Sequence, residues 1–204
     1  MTAPVCAVVL AAGGSRRLGR PKQLLPYAGT TLLGATLDNV RRQGFDQIIV
    51  TLGAAADEVA ARVDLRGLAV VINDDYGSGC SSSISAAIAH VDASADGAVL
   101  LLGDQPGIRD TAAKALVAAA SGAPIGACRY RDGLGHPFWL GRSIFPRLTT
   151  LHGDKAVWKL IDAAGPGLVT VDIHGDIPID VDTEDDYRRL LAQTNGAEAT
   201  GWAR

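Results

Sequence analysis

The chain is 204 residues long, 48% hydrophobic and 20% charged, with a formal net charge of −3. That length suits one α/β-sized domain with an ample core, and the mildly acidic balance excludes the broad basic face of a nucleic-acid binder. No apolar run approaches the ~20 residues that a membrane-spanning helix needs.

Four strand-like runs occupy the first half: Val5–Ala11 (VCAVVLA), Gln47–Leu52 (QIIVTL), Leu68–Asn73 (LAVVIN) and Gly97–Leu102 (GAVLLL). They are continuous and rich in Val, Ile and Leu, the pattern of parallel strands covered on both faces. Helical patterns lie between and after them, over Leu32–Gln43, Asp57–Val63, Ser82–Val91 and Asp110–Ala120. The alternation predicts right-handed crossovers and a doubly wound sheet. After Pro124 the rhythm changes. PIGACRY reads as a strand, HPFWLG as a short antiparallel piece, DKAVWKLIDAA as a helix, and LVTVDI and IPIDVD as strands. TEDDYRRLLAQ reads as a closing helix with a Thr N-cap and acids in its first turn. One domain over 1–193 is expected, followed by a flexible tail over 194–204.

Cys6, Cys80 and Cys128 make no CxxC pair and no zinc-type spacing with His90, His136, His152 or His174. Free thiols, and a start without a basic leader, give the expectation of a cytoplasmic protein.

The stretch LAAGGSRRLGRPK (Leu10–Lys22) ends a buried strand and gathers Gly13, Gly14 and Gly19 with Arg16, Arg17, Arg20 and Lys22. Gly14 and Gly19 have Walker A spacing, but Arg20-Pro21 stands where Lys-Ser/Thr is required, which excludes a P-loop NTPase. A dinucleotide fingerprint fails at its second glycine, where Ser15 stands, and Pro21 opposes a helix opening straight after the glycines. A longer, non-helical loop remains, open to anions through its backbone and its cations.

LLLGDQP ends a buried strand in Gly103 and Asp104, which places a carboxylate at the C-terminal sheet edge where α/β proteins bind ligands. Facing a polyphosphate, such a carboxylate suits Mg²⁺. In IDVDTEDDY, Asp180 and Asp182 share one face of a regular strand. Asp182 is read as either a second metal ligand or a bystander, and Glu184, Asp185 and Asp186 as helix-dipole acids. Ser81, Ser82 and Ser83 follow a glycine turn, as helix caps or as readers of a nucleobase edge. His136, in the loop GLGHPFWL, is a candidate for an anionic substrate. Trp139 and Trp158 are core residues or a platform for a flat ligand.

Taken together, these residues resemble the L-A-A-G-x-S-x-R-(M/L)-G-x-x-K signature of Rossmann-like nucleotidyltransferases. GDQP, GHP and DVDTEDDY are similar to signatures of the branch that includes the molybdenum cofactor cytidylyltransferases, in order from about Val5 to Leu191. The resemblance implies a three-layer α/β fold with a mostly parallel seven-strand sheet. It implies a nucleotide along Leu10, Ala11, Ala12, Gly13, Gly14 and Ser15, with Arg17 and Lys22 on its phosphates and Gly79 and Ser83 beside its base. Asp104, with Gly103 before it, falls at the Mg²⁺ ligand, Asp182 at a second one, and Gly135, His136 and Pro137 at the acceptor. Arg16 and Arg20 fall outside the motif positions and are expected to face water or tune the local field. The LAAG form points to CTP. The implied reaction transfers CMP to the terminal phosphate of a molybdopterin-type cofactor, with a molybdoenzyme as the implied recipient of the product and neither nucleic acid nor membrane involved. Another phosphorylated acceptor (a sugar, polyol or phospholactate, with CTP or GTP) and a non-catalytic cofactor-delivery protein stay open as alternatives. Lys155 and Ala156 depart from the Gly-Asp-x-Gly-Ala pattern of the late loop, so the acceptor is the least determined part.

Overall fold

The computed structural model describes residues 3–199. Its first half holds β1 (Val5–Leu10), the short strands β2 (Pro26–Tyr27) and β3 (Thr30–Thr31), α1 (Leu32–Arg42), β4 (Gln47–Leu52), α2 (Ala56–Arg62), β5 (Ala69–Ile72), α3 (Cys80–Ile88) and β6 (Gly97–Leu102). α4 (Asp110–Ala120), β7 (Ile125–Tyr130), β8 (Gly133–Gly141), α5 (Phe145–Leu148), α6 (Ala156–Ala164), β9 (Val169–Asp172) and α7 (Glu184–Ala199) follow.

Seven strands form one sheet in the order β5-β4-β1-β6-β8-β7-β9, with β2 and β3 as a separate hairpin. Only β8 runs antiparallel, against both β6 and β7; the pairs β1–β4, β1–β6, β4–β5 and β7–β9 are parallel. Strand residues alternate faces, so both faces of a Val/Leu-rich strand must be covered. Ala7 and Val9 of β1 enter the core packed by α1, α2 and α4, whereas Cys6 and Val8 enter the one packed by α3, α5 and α6. The sheet is therefore doubly wound, as the alternating pattern requires.

Local chemistry sets the helix ends. Thr31 caps α1 by accepting from the Gly34 N–H at 3.0 Å. Thr183 and Asp186 form a capping box at α7, with the Asp186 N–H donating to Thr183 Oγ1 and the Thr183 N–H to Asp186 Oδ2. The serines do not cap α3. Asp154, remote in sequence, accepts from the Cys80 N–H at 3.1 Å, and Ser82 Oγ donates to the Gly79 carbonyl.

Two expectations change. IPIDVD forms no strand: its segment crosses the sheet edge, where Pro178 O accepts from Gln105 Nε2 at 2.7 Å and Val181 is fully buried with Leu25 and Leu32. Side-chain burial and a carboxamide hold it there instead of a ladder. α7 also runs past 193 to Ala199. Residues 200–204 of the expected tail lie outside the described residues. Among the described residues no helix is long and apolar enough to cross a membrane.

Trp139 is fully buried and donates to the Ala123 carbonyl at 2.9 Å, and Trp158 meets Phe138 edge-on. Both belong to the core. The three cysteines are free thiols, and burial pushes Cys6 and Cys128 up to about 12. His136 is half-buried beside Phe138, with ring centroids 4.2 Å apart, and its carbonyl accepts from Tyr130 Oη at 2.7 Å. Burial pushes its imidazole down to about 3. The folded state therefore binds fewer protons than the unfolded chain between that value and the ordinary His value near 6.5. Stability is full above that window and falls as pH drops through it, by up to about 1.4 kcal/mol per pH unit. Denaturant unfolding between about pH 4 and pH 6 should show this slope in the wild type and a slope smaller by one proton in His136→Gln.

Candidate active site

From β1 the sheet grows through β4 and β5 on one side and through β6 on the other. Leu10 lies opposite Leu102 in the β1–β6 pair, so the segments after these strands leave the sheet side by side. Such a reversal opens a crevice at the C-terminal strand edge. A cleft of about 550 Å³ lies there, lined by residues 10–17, Lys22, Gln23, residues 76–80, Ser83, residues 102–104, Asp154, Asp180 and Asp182. Two glycines set its floor. A Cβ on Gly103 would come within 3.0 Å of Ala11 Cβ and Leu10 O, and one on Gly53 would lie 2.5 Å from Ala12 O.

The loop after β1 is polarised. The backbone N–H groups of residues 12–17 donate to no protein group among the described residues. Three of its carbonyls are occupied: Ala11 O and Gly13 O accept from Gln23 Nε2 at 2.7 and 3.0 Å, and Ser15 O accepts from the N–H groups of Leu18 and Gly19. Ser15 adopts φ +50°, and its Oγ accepts from the Lys22 N–H at 2.9 Å, which closes the loop on itself. A run of unpaired amides beside cations is an anion-binding surface.

Lys22 Nζ donates to Asp104 Oδ2 at 2.5 Å and to Asp182 Oδ1 at 2.9 Å, while Arg17 holds Asp182 Oδ2 at 2.6 Å. Burial pulls Lys22 down, but the two carboxylates outweigh it and its pKa ends above the ordinary value. Burial pushes Asp104 up against the pull of Lys22. Asp182 is held below the ordinary range, since Lys22 and Arg17 outweigh its burial. One ammonium touching both carboxylates shows that a single cation reaches both. Their hard oxygens suit Mg²⁺ or Mn²⁺. No cluster of three or more His, Cys, Asp or Glu that could hold a metal occurs among the described residues, so phosphate and water oxygens would complete the shell.

Leu10, Ala11, Ala12, Gly13, Gly14, Ser15, Arg17, Lys22, Gly79, Ser83, Gly103, Asp104 and Asp182 thus come together around one cleft. Gly135, His136 and Pro137 do not line it: Gly135 packs under Ile177, and His136 is uncharged at neutral pH. Arg16, expected to face water or tune the local field, lines the cleft and is the loop cation without a carboxylate partner among the described residues; Arg20 instead pairs with Glu184 at 3.0 Å. Gln23, Tyr76, Cys80 and Asp154 also line the cleft. Asn73 supports it from behind, donating to the hydroxyls of Ser82 and Ser83 at 2.9 Å. Cys80 is pushed up to about 11 by burial and then by Asp154, so its thiol stays protonated.

A family model described as the MobA-like NTP transferase domain matches residues 7–168. Nicotine blue oxidoreductase of Paenarthrobacter nicotinovorans is 33% identical over 200 residues, covering 92% of this chain and 96% of its own length. The crystal structure of a homologue of Mycobacterium tuberculosis Rv0371c, from Mycobacterium sp. strain JC1, is 57% identical with a TM-score of 0.89, covering 93% of this chain and 96% of the other. Rv0371c itself, solved in complex with manganese, is 47% identical with a TM-score of 0.84, over 93% and 98% of the two chains. The matched family span takes in the polarised loop, Asp104 and β8. The chain belongs to the MobA-like NTP transferase family and is a nucleotidyltransferase by fold and family.

Proposed function

We propose that this nucleotidyltransferase moves CMP from CTP to the terminal phosphate of a molybdopterin-type cofactor and releases pyrophosphate. The observation that carries the reading is the polarised loop, six consecutive unpaired amides backed by Arg16, Arg17 and Lys22. Such a surface accepts a polyphosphate and repels nothing in it. Ala11 and Ala12, 6% and 3% exposed, let the chain pass close to a nucleotide, and the LAAG resemblance favours cytosine.

The acceptor brings its own nucleophile, because a phosphate monoester is already largely ionised at neutral pH. Its oxygen attacks the α-phosphorus, the bond from that phosphorus to the bridging oxygen breaks, and pyrophosphate leaves with the electron pair. No proton has to be removed first. Held by Asp104 and Asp182, a magnesium ion would supply positive charge to the phosphate oxygens. Arg17 and Lys22 bind the triphosphate and neutralise charge as it moves toward the leaving group. Gly79 and Ser83, which line the same cleft, are assigned to the base. The acceptor end is assigned to Gly135, His136 and Pro137. Phe138 pairs with Leu100, which puts this segment at the strand end that carries Asp104. A neutral His136 would meet the acceptor through its ring rather than through charge. A molybdoenzyme is the implied recipient of the product.

The relative named an oxidoreductase supports a second reading, redox chemistry on the same scaffold. The charged centre of Lys22, Asp104 and Asp182 speaks against it, since hydride transfer favours a dry site.

Pyrophosphate release should be measured with each of the four NTPs against molybdopterin-type cofactor and sugar, polyol and phospholactate phosphates. Turnover is expected with CTP and the pterin cofactor, metal-dependent, and abolished in a folded Asp104→Ala protein. Consumption of a reduced nicotinamide nucleotide without pyrophosphate release would sink the reading in favour of the redox one. Lys22→Ala should lower kcat by about 10²–10³-fold, with a smaller change in KM for CTP, because leaving-group charge grows in the transition state. Steady-state kinetics decide this, and a pure KM effect would limit Lys22 to ground-state binding.

A further inference from the structure

We infer that Gln23 is a positioning residue for the triphosphate loop: its carboxamide holds the Ala11 and Gly13 carbonyls, so that neither is set against a nucleotide's phosphates while the neighbouring N–H groups stay free. The inference rests on the nucleotide reading above. The signature that the sequence matches ends at Lys22 and gives Gln23 no role.

Gln23 is 4% exposed and stands on the one-turn 3-10 segment Lys22–Leu24, directly after the lysine that grips Asp104 and Asp182. Its Nε2 donates to Ala11 O at 2.7 Å and to Gly13 O at 3.0 Å. Two acceptors fix which way the amide faces, because the reversed group would set three oxygens against one another. The consequence is an Oε1 that is buried without a partner. An unpaired buried oxygen is a cost to the fold. An apolar side chain of similar length would remove that cost but leave Ala11 O and Gly13 O without a donor. Stability accounts for part of the carboxamide's presence but not for its place beside the cleft.

The loop does account for it. A carbonyl turned into the cleft would set a partial negative charge against a phosphate oxygen. At Ala11 and Gly13 that outcome is blocked by Gln23, and at Ser15 by the amides of Leu18 and Gly19. The amides of residues 12–17 are left free. One short segment thus has two tasks: Lys22 fixes where the loop ends, and Gln23 fixes which way its peptide groups face.

Two variants test this, by turnover and by melting temperature with and without Mg²⁺ and each NTP. Gln23→Met keeps length and removes both donors; Gln23→Glu keeps shape and places oxygens where the N–H groups were. KM for the nucleoside triphosphate should rise on the order of 10–100-fold in Gln23→Met, the range for outer partners that orient binding groups, with kcat within about threefold. Its ligand-free melting temperature should fall, because Ala11 O and Gly13 O lose their donor, and the upward shift caused by the nucleotide should shrink. Gln23→Glu should lose at least as much, which keeps the test open if the Met variant does not fold. An unchanged KM in either folded variant, or a kcat loss at constant KM, overturns the inference and leaves the nucleotide reading standing. A wild type whose melting temperature responds to none of the four NTPs overturns both.

Discussion

Lys22 lies between two carboxylates drawn from distant parts of the chain, Asp104 at the end of β6 and Asp182 ahead of α7. The side chains of Lys22 and Asp104 are 17% and 11% exposed, so water screens that pair little. Deleting one member of such a pair strands a charge in a poor solvent, at a cost of about 3–5 kcal/mol. Arg17 and Asp182 are 66% and 39% exposed, and an ion pair of that kind is worth about 0–1 kcal/mol. The loop is therefore anchored at its far end, by Lys22, while Arg16 and Arg17 can follow a phosphate at little cost. Without that anchor the carboxylates, the cations and the free amides would not share one cleft.

The sheet gives the anchor something rigid to act on. β1 and β6 are buried on both faces, and their parallel register fixes Leu10 beside Leu102. Close approach at Gly53 and Gly103 sets the first loop residues directly on the strand ends, within van der Waals reach of both. Ala11 and Ala12 are small for the same reason: they pass between that floor and a ligand. Groups that would meet a polyphosphate in the proposed reaction thus lie directly against the least deformable part of the molecule.

Short-range patterns made much of this legible before the structure. Continuous Val/Leu runs read as buried parallel strands, and Asp110–Ala120 reads as a helix with the bounds it has in the fold. The loop and Asp104 declare themselves by composition and by place at a strand end. What escaped depends on tertiary contacts. Nothing in KQLLP distinguishes Gln23 from an exposed glutamine, because its partners, Ala11 O and Gly13 O, are supplied by the bend of the loop. Arg16 differs from Arg20 only through Glu184, more than 160 residues later, which occupies one and not the other. IPIDVD alternates like a strand, yet Val181 is drawn into the core beside Leu25 and no ladder forms. Asp180 and Asp182 still line the cleft, so the side-chain reading outlived the backbone one. His136 invited an ionic role that its burial withdraws.

That withdrawal bears on the chemistry. In the proposed reaction the acceptor phosphate arrives ionised, so a base in the cleft would have nothing to remove. The candidates for one are unsuited at neutral pH: His136, held down to about 3 by burial, is a weak base outside the cleft, and the Cys80 thiol is protonated. What the cleft holds is charge already in place. Arg16, Arg17 and Lys22 share the cleft lining with Asp104, Asp154, Asp180 and Asp182, three cations to four anions, and Arg17 and Lys22 are paired with Asp104 and Asp182. In the proposed complex a triphosphate takes up the cations and frees Asp104 and Asp182 for a divalent ion. The amides of residues 12–17 need not reorient at all, because their direction is fixed before the ligand arrives. Transfer of a phosphoryl centre between two ionised oxygens asks for alignment and neutralisation, and those are what this cleft has built in.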